Sequence, residues 1–508
     1  MHSLLFLCAR HLVGHRPTTH RALDIVPTEL YPVLFQAAFL DERTLALQDL
    51  VGTWPFPVLS FPWLLGHRGH QGDRHPLHGL EKPSKLCVQA VILAVVTRLR
   101  RALEEPCRDT SESRCRLKVL DVTGLQSDDT DRGPEWMSLW SCTVALAKAC
   151  VEVSKHHHEC LKRRSKRHKG PSGASAATPP PLAVEVRADL FVNSTSFNVL
   201  RDALQTAGPL RLKCRDFHAE ELPVTSIVSL LDLLEPTGVR RVDLRFNNLG
   251  LTGLCAVLPH LARFTGLLSL RLPYSNVNVR RVATEAGLRC LATQLGRLLC
   301  LKELNLGSSR LSGKLRQLLG DLRSPLESLE LAACFLLPSD FTFLSRSLHA
   351  PALKKLDLSG HDFSQNLLQH LQHLLEETSA SLLHLDLMEC RLTDACLESL
   401  LPALCRCSHL RCLGLFGNPI STAGLKNLVQ KTVVLQDLRW VVYPYPSDCF
   451  SLEPPWPLPA LPLEEPLDEE RLAALGAELG HMLASSGRAH AVWTTSLCRH
   501  GALDYFAL

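Results

Sequence analysis

Hydrophobic residues in the second half of the chain follow one repeated pattern: L-x-x-L-x-L, then a polar or small residue, then another apolar one. In the first clear copy the apolar positions are Val239, Val242, Leu244 and Leu249, and Asn247 occupies the polar position. The seven copies begin at Val239, Leu267, Leu301, Leu326, Leu353, Leu382 and Leu410. Their starts lie 28, 34, 25, 27, 29 and 28 residues apart, so the pattern is an internal repeat and does not follow from leucine content alone.

Each copy predicts a strand, a turn and a helix. The L-x-L alternation sends two apolar side chains inward and the residue between them outward on a short strand. The next position lies where the chain turns and calls for a hydrogen-bonding side chain, and the remainder has leucines at helical spacing, as at Leu251, Leu254 and Leu258. The sequence therefore predicts an α/β leucine-rich-repeat solenoid, a ribonuclease-inhibitor-like horseshoe with a concave parallel sheet.

The repeats also predict how the chain is organised. Weaker copies begin at Leu117 and Leu210, and the polar, basic and then proline-rich stretch 155–181 predicts a flexible loop that interrupts the solenoid. A helix at about 467–485 and a strand at 491–494 predict a cap at the open end. The four predicted segments are a helical N-terminal module (1–65), a polar segment and helix leading into the solenoid (66–115), the solenoid itself (116–443), and a proline-rich segment with the C-terminal cap (444–508).

Composition limits the cellular compartments and the classes of binding partner that we expect. No apolar run reaches the roughly 18 residues that span a bilayer, so we expect no membrane segment. Nineteen cysteines without tight framework spacing favour a reducing compartment, and we expect a cytoplasmic protein with the nucleus as a second location. The net charge of +4 rests on one basic run, and the rest of the chain is close to neutral. A broad basic surface for nucleic acid is therefore not expected.

The basic run lies inside the predicted loop. A run of this density is typical of a nuclear-import signal or of a tether for an acidic partner, and it is equally typical of a solvated loop. Both interpretations stay open from the sequence. The residues concerned are Lys162, Arg163, Arg164, Lys166, Arg167 and Lys169.

Two short motifs near the N-terminus have the spacing of docking helices. Leu4, Cys8 and Leu12 recur every four residues and form one stripe of a helix that Ser3 is suited to cap. This pattern resembles the box that docks elongin C. The second motif resembles the box that selects cullin-2, and it consists of Val26, Pro27, Leu30 and Leu34. The alternative is that both are ordinary amphipathic helices packed on the end of the solenoid.

Several longer stretches resemble the PRAME leucine-rich-repeat family. They are Leu30-Tyr31-Pro32-x-Leu34-Phe35-x-x-Ala38-Phe39, Trp54-Pro55-Phe56, Leu117-x-x-Leu120-Asp121, the copy at 353–360, and Gly414-Leu415-x-Gly417-Asn418-Pro419. The resemblance implies a substrate receptor of cullin-2 ubiquitin ligases, joined through elongin B and elongin C and binding an unknown protein substrate. Some relatives repress signalling or transcription by binding a partner, so a scaffold without ubiquitin chemistry is the competing class. An inhibitor of a secreted-type enzyme is a third possibility that rests on fold analogy alone.

Enzymatic and cofactor functions find little support. Phosphate-loop, dinucleotide, nucleophile-elbow and zinc-protease motifs are absent from the sequence. Cys405, Cys407, His409 and Cys412 cluster in sequence, but two of these cysteines are placed at buried repeat positions, and zinc requires four convergent ligands. We expect neither a metal nor a cofactor.

The outward positions of the predicted strands are candidates for binding the protein substrate. Consecutive strands lie about 4.8 Å apart, so Glu330, Asp357 and Asp386 are predicted to form an acidic ladder. Its function would be to receive a basic segment of the partner, whereas the alternative is that aspartate is simply common at this position of such repeats. The candidate residues of this face are Asp243, Arg245, Arg271, Glu330, Asp357 and Asp386.

Overall fold

Strands and helices alternate along the computed structural model, which describes residues 4–15, 21–23, 25–66, 84–104, 115–125, 137–167, 183–279, 285–363, 366–450 and 468–495. The chain divides into two units, each with its own dense internal packing. Unit 1 comprises Met1–Leu222 and Ser229–Val239, and unit 2 comprises Pro223–Val228 and Arg240–Leu508.

Unit 1 begins with helices. They are α1 (Leu4–Val13), α2 (Tyr31–Leu40), α3 (Thr44–Gly52), α4 (Phe61–Gly66) and α5 (Lys85–Glu104), and a 3-10 turn at Thr28–Leu30 leads into α2. Aromatic rings fill the space between α2 and the segment that follows α3. The ring centroids of Phe35 and Trp54 lie 5.8 Å apart, those of Phe35 and Phe61 5.6 Å apart, and the Trp54 indole N–H donates to the carbonyl of Val58 at 3.0 Å. Edge-on aromatic packing of this kind gives the helices a rigid base.

A parallel sheet completes unit 1. Its strands are β1 (Val58–Ser60), β2 (Val119–Asp121), β3 (Val184–Val192) and β4 (Leu210–Ala219), with α6 (Leu139–Arg167) and α7 (Phe197–Gln205) as the long connections. The strands β2 and β4 confirm the two weak repeat copies predicted from Leu117 and Leu210. Strands β1 and β3 were not predicted from the sequence.

Unit 2 repeats one strand and one helix. The strands are β5 (Arg241–Asp243), β6 (Ser269–Arg271), β7 (Glu303–Asn305), β8 (Ser328–Glu330), β9 (Lys355–Asp357), β10 (His384–Asp386), β11 (Cys412–Gly414), β12 (Trp440–Val442) and β13 (Val492–Thr494), all paired in parallel with their neighbours. The helices of unit 2 are α9 (Gly250–Leu261), α10 (Glu285–Leu295), α11 (Leu315–Leu319), α12 (Pro338–Arg346), α13 (Leu368–Thr378), α14 (Asp394–Leu404), α15 (Thr422–Lys431) and α16 (Glu469–Ser485). The residues of the preceding helix, α8 (Val224–Leu233), are divided between the two units.

The inward leucines of the repeat form the core of unit 2. Leu356 and Leu385 face each other in register across β9 and β10, and both are fully buried. On the helices the buried leucines recur at the predicted spacing, for example Leu254, Leu258 and Leu261 of α9. The predicted α/β leucine-rich-repeat solenoid is therefore confirmed, with the hydrophobic layer between the strands and their helices.

In several copies the side chain at the polar position of the repeat closes the turn after the strand. Asn418 is buried, and its side-chain amide donates to the carbonyls of Leu387 and Leu415 at 2.8 and 2.7 Å. Cys390 occupies the same position one copy earlier, where its thiol donates to the carbonyl of Leu358 at 3.3 Å, and His361 contacts that carbonyl through Nδ1 at 2.8 Å. Chemically different side chains thus satisfy the same backbone groups, which would otherwise be buried without partners.

The part of the predicted loop 155–181 that the structure describes, residues 155–167, is helical. Helix α6 continues to Arg167, because an apolar stripe persists through its polar half and is buried at Leu146, Cys150, Val153 and Cys160. Polar contacts join this helix to α5: an ion pair with Arg100 Nη2 2.7 Å from Glu152, and a contact of His156 Nε2 with Glu104 at 3.2 Å. The stretch from 155 to 167 is therefore helix and not loop.

The C-terminal cap contains a buried arginine. Arg488 is inaccessible to solvent and donates from Nη1 to the carbonyl of Thr432 and from Nη2 to the carbonyl of Val429, both at 2.9 Å. These carbonyls lie at the C-terminal end of α15, where helix carbonyls lack partners within the helix. The predicted helix and strand of the cap are confirmed as α16 and β13. Among the helices that the structure describes, none has both the length and the apolar character needed to cross a bilayer.

Candidate functional site

Helix α1 has an apolar residue on nearly every side. Phe6, Ala9 and Val13 are buried where α1 packs against α2. The opposite face points to solvent, with Leu4 78% exposed and Cys8 also exposed. A helix that is hydrophobic all round is normally covered on all sides. One face of α1 therefore lacks a cover within the part of the chain that the structure describes.

An ion pair fixes α1 on its base. The Arg10 guanidinium contacts the Asp41 carboxylate at two points, Nε to Oδ2 at 2.8 Å and Nη2 to Oδ1 at 2.7 Å. Asp41 directly follows α2, so this bidentate pair orients the arginine end of α1 against the end of α2. The exposed face is thus held in one direction.

The predicted elongin-docking residues lie on this helix. Leu4 and Cys8 are exposed, Leu12 is half-buried, and Ser3 lies outside the described residues. Sequence reasoning missed two members of the same surface, Leu5 and Leu7, which are each 49% exposed. Leu7 could have been found, because it stands three residues after Leu4 and such residues are neighbours on a helix.

The predicted cullin-docking residues separate into two groups. Pro27 is exposed and immediately precedes the 3-10 turn, while Val26 and Leu30 are half-buried. Leu34 lies in α2 and is only 4% exposed, so it belongs to the packed base of the module. The structure therefore leaves the start of this motif accessible and uses its last position in the core.

Charged side chains of the strand face in unit 2 are bonded to one another. Arg245 Nε donates to Asp243 at 3.0 Å, and Arg271 Nε donates to Glu303 at 2.6 Å. Glu330 receives hydrogen bonds from Asn305 at 2.7 Å and from Lys355 at 2.9 Å. The partner of Arg271 could not be inferred from the sequence, because Glu303 lies on the next strand, 32 residues away.

Asp357 and Asp386 face each other across β9 and β10, as the ladder prediction required. Ser359 links them, since its hydroxyl contacts Asp357 Oδ1 at 2.7 Å and Asp386 Oδ1 at 2.9 Å. Burial, together with the neighbouring Asp386 carboxylate, raises the pKa of Asp357 to about 7. At neutral pH this part of the ladder therefore carries less negative charge than two separate aspartates would.

Replacing Asp357 with asparagine should stabilise the protein at pH 8 and have a much smaller effect at pH 5. The folded state holds the Asp357 proton up to about pH 7, whereas the unfolded chain releases it near pH 4, so ionisation costs stability as the pH rises between these values. We expect a gain of about 2 kcal/mol at pH 8, since one pKa unit is equivalent to about 1.4 kcal/mol and solvent screens part of the shift. Urea unfolding at both pH values measures it.

The neighbouring variant Glu330→Gln provides a matched control for that experiment. It removes the carboxylate that Lys355 contacts, so it should destabilise the protein instead. A gain for Asp357→Asn that is equal at pH 5 and pH 8 would contradict the proposed repulsion between the two aspartates.

The basic run predicted as part of a loop is helical at its start. Lys162 and Arg163 are exposed on α6, and Arg163 lies 3.9 Å from Glu159 one turn earlier. Arg164, Lys166 and Arg167 fall within the bounds of the same helix, and Lys169 lies outside the described residues.

The cysteines weighed as zinc ligands make other contacts. Cys407 is buried and contacts the carbonyls of Leu375 and Ala403, and the Cys405 thiol contacts the carbonyl of Lys431 at 3.4 Å. Cys412 is buried in β11. Within the described ranges, no three His, Cys, Asp or Glu side chains are grouped so as to hold a metal ion.

Comparison with known proteins places both ends of the chain in one family. The family model of the PRAME N-terminal domain matches residues 2–105, and that of the PRAME C-terminal domain matches residues 195–507. The chain is 53% identical over 512 residues to leucine-rich repeat-containing protein 14 of Xenopus laevis and 48% identical over 516 residues to that of Homo sapiens, covering 100% of both chains in each case.

Solved structures with a similar fold are more distant. The complex of Rad7 and Elc1 in yeast matches with a TM-score of 0.42 at 13% identity, covering 87% of this chain and 93% of that chain. The leucine-rich repeat-containing protein LegL7 of Legionella pneumophila matches with a TM-score of 0.34 at 18% identity, covering 53% of this chain and 84% of that chain.

Proposed function

The chain belongs to the PRAME family, and we propose that it is a non-enzymatic substrate-recognition subunit of a cullin-2 ubiquitin ligase, joined to the ligase through elongin B and elongin C. The observation that carries the proposal is the exposed apolar face of α1. In this role the helix binds elongin C, and the repeats of unit 2 bind the protein to be ubiquitylated.

The apolar face of α1 has the chemistry of a helix that inserts into a groove. Leu4, Leu7 and Cys8 project from the side of the helix opposite its buried residues. Exposed apolar clusters on a folded protein mark sites of interaction, and an amphipathic helix laid in a hydrophobic groove is a common mode of recognition. The packed side and the Arg10–Asp41 ion pair order the helix before it binds, which lowers the entropic cost of association.

The segment before α2 is assigned to cullin-2. Pro27 and Leu30 reach the surface and supply the contacts, whereas Leu34 supports them from within the core. A proline before the first turn fixes the direction of the chain there. Of the four residues of the motif, we therefore assign the docking contacts to Pro27 and Leu30.

The strand face of unit 2 is assigned to the substrate. Its charged residues run from the Arg245–Asp243 pair through Arg271 to three consecutive acidic rungs at Glu330, Asp357 and Asp386. A basic segment of a partner would compete with Lys355 for Glu330, so charge would govern its rate of association and its specificity more than its affinity. The proposal locates this function in the cytoplasm and assigns nuclear import to the basic residues of α6.

Reconstitution from purified components tests the proposal. The full chain should form a stable complex with elongin B/C, and the cullin-2 N-terminal domain should bind that complex but not the free chain. Exchanging Pro27 and Leu30 for alanine should weaken cullin-2 binding roughly tenfold or more, because two apolar contacts are removed, and should leave elongin binding unchanged. Calorimetric titration of each step provides the measurement.

The result also separates the two functional classes. A folded chain that binds neither elongin B/C nor cullin-2 would contradict the ligase function and support a scaffold that sequesters a signalling or transcription factor. Loss of elongin binding in the Pro27 and Leu30 variant would contradict the division of the module into two docking segments.

A further inference from the structure

Two cysteines lie close together on consecutive helices of unit 2. Cys255 is on α9 and Cys290 is on α10. The Cys255 sulfur lies 3.4 Å from the carbonyl oxygen of Gly287, which stands three residues before Cys290 on α10, so the Cys255 side chain reaches α10 one turn from Cys290. Both thiols are free and half-buried, so small solutes can reach them.

The packing of the two helices keeps the thiols together. A Cβ atom on Gly287 would lie only 2.7 Å from Leu251 Cδ2, so the glycine lets α10 approach α9 closely. Leu254 of α9 and Leu288 and Leu291 of α10 are buried beneath the cysteines and hold the helices in this register. Disulfides require Cβ atoms about 4 Å apart, and the close approach of α9 and α10 at Gly287 brings the two cysteine side chains within reach of that geometry.

We propose that Cys255 and Cys290 form a redox-modification site at which a hydroperoxide closes an intramolecular disulfide. The site serves neither elongin docking nor substrate binding in the function proposed above. Other cysteines that reach solvent in the described part of the chain are Cys8, Cys300 and Cys405.

The reaction consumes one hydroperoxide and yields the disulfide in two steps. The Cys290 thiolate attacks the terminal peroxide oxygen, the O–O bond breaks, and the alkoxide or hydroxide leaves and takes up a proton. Cys290 is now a sulfenic acid. The Cys255 sulfur then attacks the Cys290 sulfur, the S–O bond breaks, and the leaving hydroxide takes the Cys255 proton to form water. Burial and the contact with Cys290 raise the pKa of Cys255 to about 12, so Cys255 keeps its proton until this second step.

Treatment of the reduced full chain with hydrogen peroxide tests the proposal. After alkylation of the remaining thiols and digestion without reductant, mass spectrometry should find a peptide pair joined through Cys255 and Cys290, and dithiothreitol should release it. A Cys255→Ser variant should accumulate a dimedone-reactive sulfenic acid at Cys290, whereas a Cys290→Ser variant should leave Cys255 unlabelled. The Cys405→Ser variant is the matched control and should form the same linked pair as the unmodified sequence.

Peroxide treatment of the unmodified chain tests the proposal even if a variant fails to fold. Absence of the Cys255–Cys290 pair under conditions that oxidise Cys8 or Cys300 would overturn the proposal, and so would linkage of either cysteine mainly to other partners. Elongin B/C binding should be equal for the reduced and oxidised chains. Failure of the redox site is therefore distinguishable from failure of the ligase function.

Discussion

Replacing Leu4 and Cys8 with alanine should weaken binding of elongin B/C by roughly 100-fold or more and leave the chain folded. Each side chain is an exposed apolar group on a helix whose other side is already packed. Truncating an anchor of this kind at the centre of an interface costs about 2 kcal/mol, and about 1.4 kcal/mol corresponds to a tenfold change in the dissociation constant. Because Phe6, Ala9 and Val13 are untouched, α1 should stay attached to α2.

Calorimetric titration of the purified full chain with elongin B/C measures this loss, and circular dichroism checks that the fold is retained. Leu45→Ala combined with Leu86→Ala is the matched control, since both leucines are exposed on other helices of unit 1. The control should bind with the affinity of the unmodified chain. If the Leu4 and Cys8 variant bound elongin B/C with the affinity of the unmodified chain, α1 would not be the elongin-docking element.

Asn418→Ala should cost about 4 kcal/mol of folding free energy in the C-terminal repeats. The Asn418 side chain makes two donor contacts, to Leu387 and Leu415, and its Oδ1 accepts from the backbone N–H groups of Cys390 and Leu392 at 3.0 Å. Alanine would leave these buried groups without their partner, and each unsatisfied group costs about 1–3 kcal/mol. The total is smaller than the sum because the turn relaxes and admits water.

Hydrogen exchange read by mass spectrometry is the suitable measurement, because repeat arrays unfold in parts and exchange resolves individual strands. Protection should fall in β10 and β11 and persist in β5 and β6. Asn427→Ala is the matched control, since Asn427 lies on α15 of the same repeat and alanine favours the helix. Protection of β10 and β11 equal to that of the unmodified chain would mean that the turn does not depend on the amide.

Strands β5 to β11 of unit 2 could be predicted because each one repeats the same local rule. Leu356 and Leu385 occupy the same position of the repeat and point inward for the same reason. An uncertain strand assignment in one copy is therefore supported by the copies on either side. Strand β3 has no such support, since it follows the interruption and its pattern differs from the repeat. Helix α6 was not predicted, and its part beyond residue 155 was assigned to a loop because polar composition was given more weight than the buried stripe that ends at Cys160.

The sequence predicted where the candidate site residues lie along the chain better than it predicted their burial and their contacts. Spacing alone placed Leu4 and Cys8 on one face, but the sequence does not state which face of a helix is packed. Leu34 fits a docking motif and a core position equally well, and only its surroundings decide between them. On the strand face, the link from Asp357 to Asp386 through Ser359 depends on tertiary neighbours.

The bonds of Arg488 to the end of α15 affect how truncations from the C-terminus should be interpreted. Helix α15 ends on carbonyls that are bonded by this arginine, which lies 56 residues after Thr432 in the chain. A stop codon between residues 443 and 488 removes that partner and leaves the end of α15 open, although every repeat motif is still encoded. Deletion mapping from this end would therefore register loss of folding as if it were loss of a binding site. Truncated chains for such mapping should therefore keep the C-terminal cap.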